Sequence, residues 1–110
     1  MKLQFDKMEM TVLNKFKGGE GDTKARMLFD GMNKIMRGCL PVGASIGLHT
    51  HETSSEIIYI LSGDARCIYD DTVEYLKAGE CHYCPKGHAH SLINNSDVEE
   101  LVFFAVVPER

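Results

Sequence analysis

The sequence predicts an all-β domain closed into a barrel or jelly roll, and three observations predict it. Apolar residues alternate or cluster over stretches of strand length, Gly, Pro, Asn and Asp end those stretches, and no segment sustains a helical period. Strands are expected over residues 8–13, 25–29, 34–40, 47–51, 56–62, 64–69, 72–76, 80–84, 88–94 and 100–107. So many short strands at close spacing call for closure, because an open sheet leaves edges that pair with other chains.

Taken in order, the first strand is set apart by Gly18, Gly19 and Gly21, which predict the one flexible loop of the chain. The stretch 27–36 has some helical period, but Asp30-Gly31 interrupts it and is better read as a turn between two strands. Asp70-Asp71 and Asn94-Asn95 are turn formers of the same kind, bonding their own backbone or tolerating positive φ. There is no repeat, linker or low-complexity tract, and 110 residues suffice for one ordinary core. A single domain over 1–110 is expected.

Composition narrows the function classes. With 44% apolar and 25% charged residues the chain reads as ordinary globular protein rather than disordered or membrane-spanning. Its apolar runs, 57–61 and 101–107, are far shorter than the roughly 20 residues that cross a bilayer. Charges scattered through MKLQFDKMEM argue against a secretory signal and predict a cytoplasmic location. A net charge of -4, with basic residues dispersed, lacks the footprint of nucleic-acid binding. Cys39, Cys67, Cys81 and Cys84 are then expected as reduced thiols, core residues first.

The candidate chemistry lies in the middle of the chain. His49 and His51 are two apart in a predicted strand, so both imidazoles share one face and reach one ion. Glu56 starts the next strand, where a hairpin return across 52–55 sets its carboxylate beside them. His90 follows the rigid Pro85-Lys86-Gly87, and a fold that pairs these strands brings it to the same point. Three imidazoles and one carboxylate suit Mn, Fe, Co, Ni, Cu or Zn and do not suit the oxygen cages of magnesium or calcium.

Two spaced patterns carry a resemblance. Gly43, His49, His51, Glu56 and Gly63 match the first motif of the cupin superfamily at every spacing, and Gly79, Pro85, Gly87, His90 and Asn94 match the second. The chain therefore resembles a small single-domain cupin over Gly43 to Asn94. The resemblance implies a double-stranded β-helix, or jelly-roll barrel, with a core over 35–107. It also implies one divalent metal on His49, His51, Glu56 and His90, and a homodimer in which the N-terminal region 1–17, notably the strand 8–13, joins the partner's sheet. The competing reading of the four residues is a polar barrel interior without metal. Burying unpaired ionisable groups costs more than coordinating a cation with them, which favours the metal.

Other features have plainer readings. Cys81-x-x-Cys84 beside His82 and His88 suggests zinc or redox chemistry, but residues three apart in a strand lie on opposite faces. His82 and His88 fall outside the motif positions and are expected on the surface or in turns, away from the ion. Met8, Met10, Met27, Met32 and Met36 read as flexible core filler rather than copper ligands. Ile58 and Ile60 share the face of Glu56, and Leu92 that of His90, so these three are expected to line the pocket. Arg37, Arg66, Tyr59, Tyr69 or Tyr83 would orient a ligand where they face inward.

Two functions follow. As an enzyme, the chain acts on a small oxygenated substrate chelated to the metal, with dioxygenase, isomerase and lyase chemistry all open and no proton-transfer residue assigned. As a receptor or sensor, it binds such a molecule without turnover. The fold alone decides between neither pair of classes.

Overall fold

The computed structural model describes residues 1–109. Ten strands follow two sheets. Strands β1 (Thr11–Asn14), β2 (Asp22–Phe29), β3 (Asn33–Leu40), β5 (Glu56–Ser62), β8 (Cys81–Cys84) and β10 (Leu101–Pro108) form one sheet in the order β1-β2-β3-β10-β5-β8. Strands β4 (His49–Thr50), β6 (Asp64–Tyr69), β7 (Thr72–Lys77) and β9 (Ala89–Asn94) form the other, in the order β4-β9-β6-β7. The pairings between these strands are antiparallel, and the two sheets enclose a jelly-roll core. Among the described residues no helix is long and apolar enough to cross a membrane.

Alternation sets which side chains go inside. On β5, Glu56, Ile58 and Ile60 are buried while Ile57, Tyr59 and Leu61 face out. On β10, Leu101, Phe103 and Ala105 are completely buried. Phe103 stands directly opposite Gly38 of β3. A Cβ on Gly38 would come 2.8 Å from Cε2 and 2.9 Å from Cε1 of the Phe103 ring, so only glycine leaves room for it.

Several motif residues do structural work. Gly63 has φ +95, and a Cβ there would sit 2.7 Å from the Glu100 carbonyl oxygen, so the β5–β6 turn excludes other residues. Asn94 is buried; its amide donates to the carbonyls of Leu40 and Glu99 at 3.0 Å each, and its oxygen accepts from the Ser96 N–H at 2.9 Å. It ties the end of β9 to the end of β3 in the opposite sheet.

The loops differ in three places from the sequence expectation. The glycine-rich segment is pinned rather than free: Gly18 ends a 3-10 turn, Phe16–Gly18, and Gly19 is buried where its Cα passes against the Ser45 carbonyl and Gly47. The first strand begins at Thr11 because Phe5–Lys7 forms a 3-10 turn, and Arg26 donates to the carbonyls of Phe5, Asp6 and Met8. That strand pairs with β2 of its own chain, Thr11 opposite Ala25. Finally, β4 and β5 are not a hairpin. They belong to different sheets, and residues 51–55 carry the chain across the barrel.

Candidate metal centre

The crossing at residues 51–55 builds the site. His49 on β4 pairs directly with His90 on β9, which sets two imidazoles side by side on the four-stranded sheet. Glu56 enters from the six-stranded sheet, opposite Cys84. His51 lies just past β4 and is held by the second motif's turn: its N–H donates to the His88 carbonyl at 3.0 Å, and its carbonyl accepts from the Gly87 N–H at 2.6 Å. Gly87, at φ +92, is what allows that turn to face His51.

The four donor atoms converge. Nε2 of His51 lies 3.1 Å from Nε2 of His49 and 2.9 Å from Nε2 of His90, and Glu56 Oε1 lies 2.9 Å from both His51 and His90. With metal–nitrogen bonds of about 2.1 Å, adjacent ligands of a six-coordinate ion stand about 3.0 Å apart and those of a tetrahedral ion about 3.4 Å. The observed separations of 2.9 to 3.1 Å would let one ion contact His49, His51, Glu56 and His90 together.

The other ring nitrogens are anchored. His49 Nδ1 donates to the Gly47 carbonyl at 2.7 Å, and His51 Nδ1 is 2.9 Å from the Ser54 hydroxyl. His90 Nδ1 is 3.1 Å from Nε2 of His82. A carbonyl only accepts, so neutral His49 carries its proton on Nδ1 and turns a lone pair inward. Three imidazole nitrogens and one carboxylate oxygen thus face one point, a group that could hold a metal ion. Such outer partners are the usual means of orienting metal-binding imidazoles.

Electrostatics agree with a cation site. Burial, partly offset by the Gly47 carbonyl and reinforced by His90 and His51, holds the His49 imidazolium below its usual range. Burial pushes the Glu56 carboxyl up, but contact with His51 and His90 outweighs burial and holds it down at about 2.

The four side chains sit in a cavity of about 270 Å³ that opens to solvent. Ile58 and Leu92 line it, joined by Met36, Ile46 and Phe16. Ile60 does not line it; it is completely buried in the core below. Lys17, Lys34, Glu52 and Glu109 bring charge to the wall. Arg37, Tyr59 and Tyr83 face solvent, and neither Arg66 nor Tyr69 reaches the cavity lining. Alternation turns Tyr59 and Tyr83 away once Glu56 fixes the phase of β5, whereas Tyr69 shares the inward phase of Ala65 and Cys67 and packs on His82 instead.

The remaining sulfur and nitrogen groups separate. Cys84 and Cys67 are buried, Cys39 is half-buried, and Cys81 is exposed rather than in the core, on the face opposite Cys84. His88 is on the surface, 2.6 Å from Asp70. His82 overturns its expectation: it is 1% exposed, inside the barrel between Glu74 and His90. Its place followed from the register, since Cys84 faces Glu56 and two residues back on the same strand must also face inward.

Both motifs now have physical roles, and comparison with known proteins agrees with them. A cupin domain model matches residues 36–107, and the chain belongs to the cupin family. It is 32% identical over 102 residues to an oxalate-binding protein of Thermotoga maritima, covering 86% of this chain and 83% of that one. The crystal structure of a predicted oxalate decarboxylase from Thermotoga maritima superposes with a TM-score of 0.93 at 28% identity over 100% of both chains. The cupin domain of Schizosaccharomyces pombe Cnp3 shares the fold, with a TM-score of 0.76 at 16% identity, over 91% of this chain and 69% of that one.

Proposed function

We propose that this cupin binds a small anion with two adjacent oxygen donors, of the oxalate class, by chelation to one divalent transition metal held on His49, His51, Glu56 and His90. The observation that carries the proposal is the convergence of three Nε2 atoms and one carboxylate at 2.9 to 3.1 Å inside a small open cavity. Manganese, iron, cobalt, nickel, copper and zinc all suit that donor set.

The bound ion supplies Lewis acidity and, if six-coordinate, two positions for a chelating ligand. Three neutral imidazoles and one carboxylate leave a divalent centre with a single positive charge, which attracts a dianion. Lys17 and Lys34 on the cavity wall add to that attraction, and the apolar wall of Met36, Ile46, Ile58 and Leu92 limits the ligand to a compact molecule. The Thermotoga relative named for oxalate binding supports the ligand class.

Turnover is the second reading. Glu52 and Glu109 line the same cavity and would be the groups to exchange a proton with a bound acid; Glu109 accepts a hydrogen bond from Thr53 at 2.8 Å. Decarboxylation, oxygenation or isomerisation would each draw on such a group.

The partner set we propose is a small molecule and a second copy of the chain in the cytoplasm, without nucleic acid or membrane. The exposed Ile57, Tyr59, Leu61 and Tyr83 on adjacent β5 and β8 offer an apolar face for the second copy, and β1 offers a sheet edge.

The test is elemental analysis of protein purified without chelator, wild type beside His49→Ala, followed by calorimetry of the metal-loaded protein with oxalate. About one equivalent of metal lost in the variant is expected, with oxalate binding that His51→Ala abolishes and Lys34→Glu weakens. Oxalate binding indifferent to His51→Ala, or a chain that takes no metal on reconstitution, overturns the proposal. Product from a panel of oxygenated acids selects the enzymatic reading.

A further inference from the structure

His82 belongs to no motif position, yet it is as deeply buried as His90. It projects from β8 of the six-stranded sheet and crosses the barrel interior to meet β9 of the other sheet. Its Nδ1 lies 2.7 Å from Glu74 Oε1, and its Nε2 lies 3.1 Å from Nδ1 of His90. The His82 and His90 rings stack, with centroids 5.3 Å apart at 27°, and Tyr69 packs edge-on against His82 at 5.5 Å. Glu74 closes the row from β7 with a side chain 43% exposed.

The direction of this row follows from donor and acceptor chemistry. A carboxylate only accepts, so His82 donates from Nδ1 to Glu74. Neutral His82 then has a lone pair at Nε2 and accepts from Nδ1–H of His90. Neutral His90 in turn has its lone pair on Nε2, the atom that faces Glu56 and His51 at 2.9 Å. Had His82 held its proton on Nε2 instead, it would force the opposite tautomer on His90 and turn an N–H toward the other ligands.

We infer that Glu74 and His82 are positioning residues that favour the Nδ1–H tautomer of His90 and so aim its Nε2 lone pair into the metal site. The inference deepens the metal-site reading of the preceding subsection and rests on it: with no cation at the site, Glu56 Oε1, 2.9 Å from His90 Nε2, accepts from that nitrogen and draws the proton the other way. A different use of the same groups, a cation held by Cys67, His82 and His90, would need the Nδ1 of His90 that this row occupies.

The test reads the tautomer directly, by long-range nitrogen–proton correlation NMR of the histidine rings in metal-free and zinc-loaded protein. In wild type, His90 is expected to carry its proton on Nδ1 when zinc-loaded and to divide it between Nδ1 and Nε2 when metal-free, where His82 and Glu56 compete for it. His82→Phe keeps a stacked ring without hydrogen-bonding nitrogens, and Glu74→Ala changes only the exposed end of the row; in each, metal-free His90 is expected to shift its proton to Nε2, toward Glu56. Zinc affinity, measured by competition with a chelator, is expected to fall about 10- to 100-fold in His82→Phe. Glu74→Gln, whose carbonyl still accepts from His82, is expected to recover most of the loss seen in Glu74→Ala.

A metal-free wild-type His90 protonated wholly on Nε2, as in the variants, overturns the inference. So does a folded Glu74→Ala or His82→Phe protein with both tautomer and zinc affinity unchanged. If the variants lose the Nδ1–H signature while no protein in the series binds zinc, the positioning of His90 is upheld and the metal reading alone fails.

Discussion

Nε2 of His51 and Nε2 of His90 lie 2.9 Å apart although 39 residues separate them, and each is braced from behind by a different partner. His51 leans on the Ser54 hydroxyl within its own loop, whereas His90 leans on a histidine of the opposite sheet.

Ser54 should therefore tune the metal site without touching the metal. Ser54→Ala is expected to weaken metal binding by about 10- to 100-fold while leaving the fold intact, since it frees Nδ1 of His51 to reorient. Chelator competition measures it, and an affinity equal to wild type would rule out the brace.

Acid should destabilise the metal-free protein in two steps of the same sign. His49 is held below its ordinary value of 6.5, so the fold favours its neutral form; that stability is present above pH 6.5 and is lost as pH falls through the folded value. Glu56 is held down at about 2 against 4.5, so its contribution is present above pH 4.5 and is lost as pH falls toward 2. The Glu56 share is on the order of a few kcal/mol. Thermal melts of metal-free protein should give a Tm that is level from pH 7 to 8, lower at pH 5.5 and lower again at pH 3.5. A Tm level down to pH 5 would contradict the His49 assignment, and one level on to pH 3 would contradict that of Glu56. Metal affinity should decline over the first step, because ligation needs neutral imidazoles.

Gly38→Ala should be costly for so small a change. The added methyl meets the Phe103 ring, and the overpacking is expected to cost about 1–3 kcal/mol. Phe103→Leu relieves the contact, so the double variant should lose less than the sum of the two single losses; denaturant melts of all four proteins give the coupling. Strict additivity would mean that the two sites do not press on each other.

The thiols should react in order of burial. Burial pushes Cys67 up to about 12 and Cys84 up to about 11, and burial with Glu100 raises Cys39 to about 11, while Cys81 is exposed. Alkylation of native protein at pH 8 is expected to label Cys81 first, with Cys67 and Cys84 labelled only after unfolding. Rapid native labelling of Cys84 would show that β8 opens.

The strands and the four donor residues were legible because both depend on local regularities. Alternation placed β5 and β10 almost to the residue, and the spacing of the two motifs singled out His49, His51, Glu56 and His90. What stayed hidden depends on which sheet a strand joins. The passage from His51 to Glu56 reads as a hairpin by length alone, and only the topology reveals a crossing. His82 was illegible for the same reason: its partners Glu74 and His90 come from the other sheet, and no spacing along the chain brings three such residues together. Ile60 shares the phase of Ile58 but lies deeper, where the cavity has already closed.

Phe16 and Lys17 belong to the cavity wall, and they are locked to the backbone just ahead of His49: the Gly47 N–H donates to the Phe16 carbonyl at 3.0 Å, and the Gly47 Cα lies against the Lys17 carbonyl with no room for a side chain. The Phe16–Lys17 part of the wall and the backbone that leads into His49 therefore form one packed unit. A designer wishing to admit a bulkier guest by lengthening the entrance loop would also drag His49 off its bearing, so selectivity here is more safely altered from the Lys34 and Val107 side, where the wall comes from the long paired strands β3 and β10.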